Sequence, residues 1–159
     1  MAMDRARTAL DWVLEGVAFV TLMAAAGDVA MHWGMLPEQI PVHFGVSGEA
    51  DGWGDRSMML WLLAVSAAAW ILLTVAGKYQ RLINIPMVLD RESPVVRGLL
   101  RSMEIAMKVV VMVSLLWIVD LTMRTAVGEA KGLGVWFAPV FLGATIVPLV
   151  YYLVKLKRV

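Results

Sequence analysis

Hydrophobic and polar positions fall along this chain in blocks rather than in a residue-by-residue alternation. Four blocks, residues 12–31, 57–77, 105–127 and 134–154, are almost uninterrupted apolar runs. Each reaches the length of about 20 residues that a helix needs to cross a bilayer. Between them lie a glycine- and proline-rich polar segment at 32–56, a basic segment at 78–104 and a short connection before the fourth block. The pattern predicts an all-α membrane protein, a four-helix transmembrane bundle that forms a single domain over residues 1–159. The short last connection makes helices three and four antiparallel neighbours.

Segment 32–56 reads as an ordered loop. Pro37 and Pro41 each fix one φ angle and push Leu36 and Ile40, the residues before them, toward extended backbone. Gly45, Gly48, Gly52 and Gly54 permit sharp turns, expected at Ser47-Gly48 and Asp51-Gly52. Alternation from Ile40 to Phe44 puts Ile40, Val42 and Phe44 on one side and His43 on the other. Trp33 and Trp53 suit the boundary between lipid and water. Leu36, Pro37, Ile40, Pro41, Gly48 and Gly52 are therefore expected to set the loop's shape. His43, Phe44, Asp51 and Trp53 are left as a lip for a lipophilic peptide or small ligand, or as rings that press the loop onto the membrane surface.

Composition agrees with the membrane class. The chain is 60% hydrophobic and 17% charged, against roughly 45–50% and about 25% in soluble domains. A net charge of +1 hides a strong asymmetry. Arg5 and Arg7, then Lys78, Arg81, Arg91, Arg97, Arg101 and Lys108, then Lys155, Lys157 and Arg158 put eleven cations on one side, and Arg56, Arg124 and Lys131 put three on the other. Basic residues near membrane ends stay in the cytoplasm, so both termini are expected inside the cell and the 32–56 loop outside it. The basic start followed by Ala24-Ala25-Ala26 also has the form of a secretory signal. The reading adopted is a helix that packs through Gly16 and the small residues from Ala24 to Gly27.

Local signals refine the helices. Helix one is expected to begin near Asp11, and Asp55 to cap helix two with its carboxylate. Ser93-Pro94 is a strong helix start. From it Arg97, Arg101, Glu104 and Lys108 form one polar stripe, read as a face for anionic lipid heads or for a cytoplasmic protein partner. Pro139 and Pro148 leave backbone carbonyls without donors and predict a kink in helix four, with Thr145 a candidate to satisfy one of them.

The sharpest chemical signal is charge placed inside apolar runs. Twelve uncharged residues separate Glu15 from Asp28, and eleven separate Lys108 from Asp120. Neither spacing crosses a hydrocarbon core about 30 Å thick at about 1.5 Å per residue. Asp28 and Asp120 are thus expected toward the outer end, with His32 and Arg124 each one turn further on. Under a loop bearing His43, Glu49, Asp51 and Asp55, this cluster has three readings. It is an ion pair that only packs, a ligand or proton site, or a site for zinc or manganese built from Asp28, His32 and a folded-back His43.

Absences narrow the classes. The chain has no cysteine, which excludes disulfides and thiolate chemistry. HExxH, GxSxG and phosphate-binding glycine loops are missing, and the outer side is too poor in Lys and Arg for nucleic acid. No enzymatic activity, cofactor or nucleic-acid partner is expected; the lipid bilayer is.

The order Leu36-Pro37-x-x-Ile40-Pro41-x-His43-Phe44-x-x-x-Gly48-x-x-Asp51-Gly52-Trp53, set between two apolar spans, resembles the integral-membrane family known as domain of unknown function 1648. Asn84-Ile85-Pro86-Met87 is similar to that family's Asn-Tyr-Pro-Val-like segment, with Ile85 in place of Tyr. The resemblance extends to SdpI-type immunity proteins. These protect a producing cell from a secreted peptide toxin and hold a repressor at the membrane, and in them a further membrane region follows this domain. It implies a cell-membrane protein that senses or neutralises an extracytoplasmic ligand such as a membrane-active peptide. A small transporter or accessory subunit with an intramembrane ion or proton site, and a purely structural subunit, are the other classes the residues allow.

Overall fold

The longest helix is the one against which the rest of the chain is placed. In the computed structural model, which describes residues 8–79 and 90–159, α1 is Ala9–His32, β1 Gln39–Phe44, β2 Ala50–Asp55, α2 Met58–Lys78, α3 Pro94–Ala126 and α4 Phe137–Lys157. A short 3-10 turn, Trp33–Met35, extends α1. α3 touches α1, α2, α4 and β1. All four helices are long and apolar enough to cross a membrane, the arrangement of a multi-pass membrane protein. Arg5, Arg7, Arg81 and the segment from Asn84 to Met87 lie outside the described residues.

Helix starts follow local chemistry. α1 begins two residues before the expected Asp11, because Thr8 and Asp11 form a capping box: the Asp11 N–H donates to Thr8 Oγ1 (3.1 Å) and the Thr8 N–H to Asp11 Oδ2 (2.9 Å). Ser93 and Pro94 open α3 as expected. Asp55 is not the cap of α2. It ends β2, and its Oδ1 accepts from the Ser57 N–H (2.8 Å), while Ser57 holds the cap position. α1 buries Asp11, Ala18, Thr21, Ala25 and Val29, whereas Gly16 and Gly27 face open space. The close approach expected at those two glycines is absent; alanines and threonine make the contact face instead.

The polar stripe on α3 does not form a surface face. Lys108 is fully buried and Glu104 nearly so. Lys108 Nζ donates to Glu15 Oε1 and Oε2 (3.0 and 2.9 Å) across the α1–α3 contact and sits 3.2 Å from Glu104 Oε1. Arg97 has a largely covered side chain, paired with Glu92 at 3.4 Å, and Arg101 is half-buried. The stripe faces into the bundle because a charged group among lipid tails is costly unless paired. An apolar cluster of Val96, Leu100, Met103 and Leu156 closes this end.

Segment 32–56 is a β-hairpin, which corrects the all-α expectation to a mostly helical fold with one two-stranded antiparallel sheet. Its turn is at Gly48 (φ +80), whose N–H donates to the Gly45 carbonyl at 2.8 Å. Asp51-Gly52 is not a turn: Gly52 lies within β2 opposite His43, where a Cβ would stand 2.9 Å from the His43 Cβ. The register shifts between Pro41 and His43 and again between His43 and Phe44. Strict alternation therefore fails, with Ile40 and Pro41 both buried and Val42 exposed. Leu36 and Ile40 plug the hairpin into a cluster of Ala25, Val29, Met59, Val119 and Met123.

The α3–α4 connection docks on the hairpin tip. The Leu133 N–H donates to the Gly48 carbonyl (2.7 Å) and the Ala50 N–H to the Lys131 carbonyl (3.3 Å). Any Cβ on Gly132 would run into the Gly48 carbonyl, so glycine is required there. α4 packs on α3, with Phe137 edge-on to Trp117. Pro139 lies in the first turn of α4, where no kink follows, and Pro148 is interior. The Thr145 hydroxyl donates to the Phe141 carbonyl (2.8 Å), not to the Ala144 carbonyl that Pro148 leaves without its usual donor.

Candidate functional site

At the hairpin end of the bundle, α1 and α3 leave a cavity of about 230 Å³ lined by Asp28, His32, Met35, Leu36, Asp120, Met123, Arg124, Val127 and Glu129. The four charged or imidazole residues singled out by spacing on α1 and α3 share it. Asp28 and His32 stand one turn apart on the last turns of α1, and His32 Nδ1 lies 2.9 Å from Asp28 Oδ1 and 2.9 Å from the Asp28 carbonyl oxygen. Asp120 and Arg124 repeat that spacing on α3, with Arg124 Nη1 3.9 Å from Asp120 Oδ2. Both carboxylates keep partial exposure, 27% for Asp28 and 44% for Asp120. Each carboxylate has a partner one turn along its own helix, and pairing lowers the cost of a charge placed within a membrane span.

Glu129 is the member that sequence spacing missed. Gly128, at φ +82, turns the chain back so that the Glu129 N–H and the Ala130 N–H both donate to the Arg124 carbonyl (2.7 and 3.2 Å). The Glu129 carboxylate then lies 3.7 Å from Arg124 Nε. The signal was a glycine four residues past Arg124, at the end of an apolar run. Met35, Leu36, Met123 and Val127 complete the walls with apolar surface.

The residues of β1 and β2 do not join this cavity. His43 Nδ1 pairs across the strands with Asp51 Oδ1, and both side chains are mostly exposed. His43 does not fold back on Asp28 and His32, and among the described residues no three His, Asp or Glu side chains are grouped to hold a metal ion. Phe44 instead lines a second, apolar cavity of about 300 Å³ with Ile40, Pro41, Val42, Met58, Met59, Trp61, Leu62, Val65, Ile118 and Thr122. Trp53, opposite Pro41, is half exposed. Arg56 reaches from the hairpin base over the Trp33 ring, 5.6 Å from its centroid. Of the expected loop-shaping residues, Leu36, Ile40 and Pro41 are buried and Pro37 is exposed. Gly48 and Gly52 meet neighbours too close for a side chain.

Hydrogen bonds from the Ser57 hydroxyl and N–H hold the Asp55 carboxyl below its ordinary value. It therefore stays ionised beside the start of α2.

Residues 18–68 match the family described as Domain of unknown function (DUF1648). The stretch runs from α1 through the hairpin into α2 and includes Asp28 and His32, so the resemblance carried by the hairpin motif is borne out there. An uncharacterized protein of Archaeoglobus fulgidus is 40% identical over 62 residues, a match covering 34% of this chain and 34% of that protein. No solved structure matches the chain.

Proposed function

We propose that this chain is a cell-membrane protein with both termini in the cytoplasm, whose hairpin-capped end faces outward and captures an extracytoplasmic ligand, with a membrane-active peptide as the fitting kind and protection of the cell as the outcome. The observation that carries the reading is the shared cavity. Asp28 and His32 from α1, Asp120 and Arg124 from α3, and Glu129 from the following loop line one apolar-walled space at the hairpin end of the bundle. Packing alone does not call for five ionisable groups around an open cavity. Orientation rests on the basic residues Lys78, Arg97, Arg101, Lys155 and Lys157, which lie on segments at the end away from the hairpin.

The test is deletion of the gene followed by complementation. Deletion is expected to sensitise cells to membrane-active peptides, and the wild-type gene to restore tolerance. The Asp28→Asn/Asp120→Asn double variant, produced at normal level, is expected to fail. Full protection by that variant would overturn the reading. The hydrogen-bonding distance between His32 and Asp28 also supports a second function, a proton or ion site of a small transporter. That function predicts altered pH or ion tolerance on deletion, with peptide tolerance unchanged.

A further inference from the structure

We propose that the Asp28–Asp120 cavity takes a primary ammonium or guanidinium group on a short apolar stem, as on a basic side chain of a peptide, and that protonation of His32 weakens its hold. This rests on the reading that the cavity binds a ligand, and it names the ligand's chemistry and its control.

Three carboxylates, Asp28, Asp120 and Glu129, face a single guanidinium, that of Arg124. Arg124 is spread between two of them at 3.9 and 3.7 Å, distances at which neither pair has the close, parallel geometry of a strong Arg–carboxylate bond. Among the described residues Asp28 is ion-paired with His32. With His32 neutral, the lining carries an excess of two negative charges. An anion is repelled and a cation is drawn in.

Shape narrows the choice. About 230 Å³ is below the roughly 300–1,000 Å³ of pockets that enclose a drug-sized molecule. One side chain or a small amine fits; a folded ligand does not. Met35, Leu36, Met123 and Val127 offer apolar walls for a methylene stem, and methionines adapt to irregular shapes. A bare divalent cation fits poorly, since among the described residues no three His, Asp or Glu side chains, the carboxylates of this lining included, stand close enough together to hold a metal ion.

Control follows from the contact between His32 Nδ1 and Asp28 Oδ1 at 2.9 Å. A protonated imidazole there forms an ion pair with Asp28 and removes one of the two excess charges. The other groups facing it are Asp120 and Arg124 from α3 and Glu129 from the loop; the hairpin base contributes only Met35 and Leu36. An added positive charge at that imidazole therefore weakens the attraction for a cationic ligand.

The experiment uses the full chain in zwitterionic nanodiscs with labelled methionine methyl groups, titrated with n-butylammonium and, separately, with n-butanol. Met35 and Met123 report the cavity, and Met58 and Met59, which line the other one, report non-specific partitioning. At pH 8 the amine is expected to shift Met35 and Met123 saturably, and the alcohol is not. Asp28→Asn is expected to weaken binding about tenfold, as for loss of one charge-assisted bond. Arg124→Gln, by removing the resident cation, is expected to tighten it. Lowering the pH to 5 is expected to weaken binding to the wild type and to leave His32→Gln unchanged. Equal shifts from amine and alcohol, or equal binding by wild type and a well-dispersed Asp28→Asn sample, overturn the cation site; equal pH loss in His32→Gln overturns the switch. Amine binding without a peptide phenotype would sink the proposed function alone, whereas peptide protection without amine binding would sink this inference alone.

Discussion

Lys108 Nζ lies 2.9 Å from Glu15 Oε2, across the contact between α3 and α1, and the lysine side chain has no exposed surface. Glu104 Oε1 stands 3.2 Å from the same ammonium, and Gly77 of α2 comes so near that any side chain there would collide with the Glu104 carboxylate. Three helices thus meet on one buried charge set. Removing one member of such a set leaves the others as uncompensated charges, which costs about 3–5 kcal/mol. Lys108→Ala is expected to destabilise the bundle by that order, read as a lower midpoint in denaturing-detergent titration. The Lys108→Met/Glu15→Gln/Glu104→Gln variant removes the charges together and is expected to recover most of the loss.

The hairpin tip gives a second, local prediction. Gly48 and Gly132 pass backbone to backbone, and the Leu133 and Ala50 amides are held by carbonyls across that contact (2.7 and 3.3 Å). Gly132→Ala forces the two segments apart and breaks both bonds, each worth about 0.5–1.5 kcal/mol. Hydrogen exchange is expected to speed up by about tenfold at Leu133 and Ala50, with the α2 and α3 amides unchanged. Unchanged exchange at both positions would mean that the loop is not seated on the hairpin.

Asp55 links the hairpin to pH. Its carboxyl is held below the ordinary 3.8 by the Ser57 hydroxyl and N–H. A folded-state value below the unfolded one means that ionised Asp55 favours the folded turn above pH 3.8, and that this contribution fades as pH falls through the depressed value. Protection of the Ser57 amide is expected to drop on acidification only below about pH 4, and Asp55→Asn to remove that step.

Much of this was legible in the chain. Four apolar runs announce four helices because a bilayer demands a fixed length. The meeting of Asp28, His32, Asp120 and Arg124 follows from counting uncharged residues out from Glu15 and Lys108. What escaped had a physical reason in each case. Arg97, Arg101, Glu104 and Lys108 recur along one face whether that face meets water, lipid heads or another helix. The partner that decides, Glu15, lies 93 residues from Lys108. Alternation from Ile40 to Phe44 was visible, but the register shifts that bury Pro41 beside Ile40 depend on how β2 pairs. Glu129 reaches the cavity only through the positive φ of Gly128, and sequence alone does not say which glycine will turn.

Orientation can be settled on this chain with unusual economy, because it has no cysteine and a single introduced thiol is unambiguous. Val46, in the turn between β1 and β2, is fully exposed, and Val159, past the end of α4, is also exposed. On the proposed orientation, which puts the basic ends of the helices inside the cell, Val46→Cys is expected to react with a membrane-impermeant maleimide on intact cells, and Val159→Cys only after the membrane is opened. The two sites lie at opposite ends of the bundle, so each controls for the other. The reverse pattern would turn the Asp28–Asp120 cavity toward the cytoplasm. A ligand arriving from outside would then have no route to it, and a cytoplasmic amine would become the group to test.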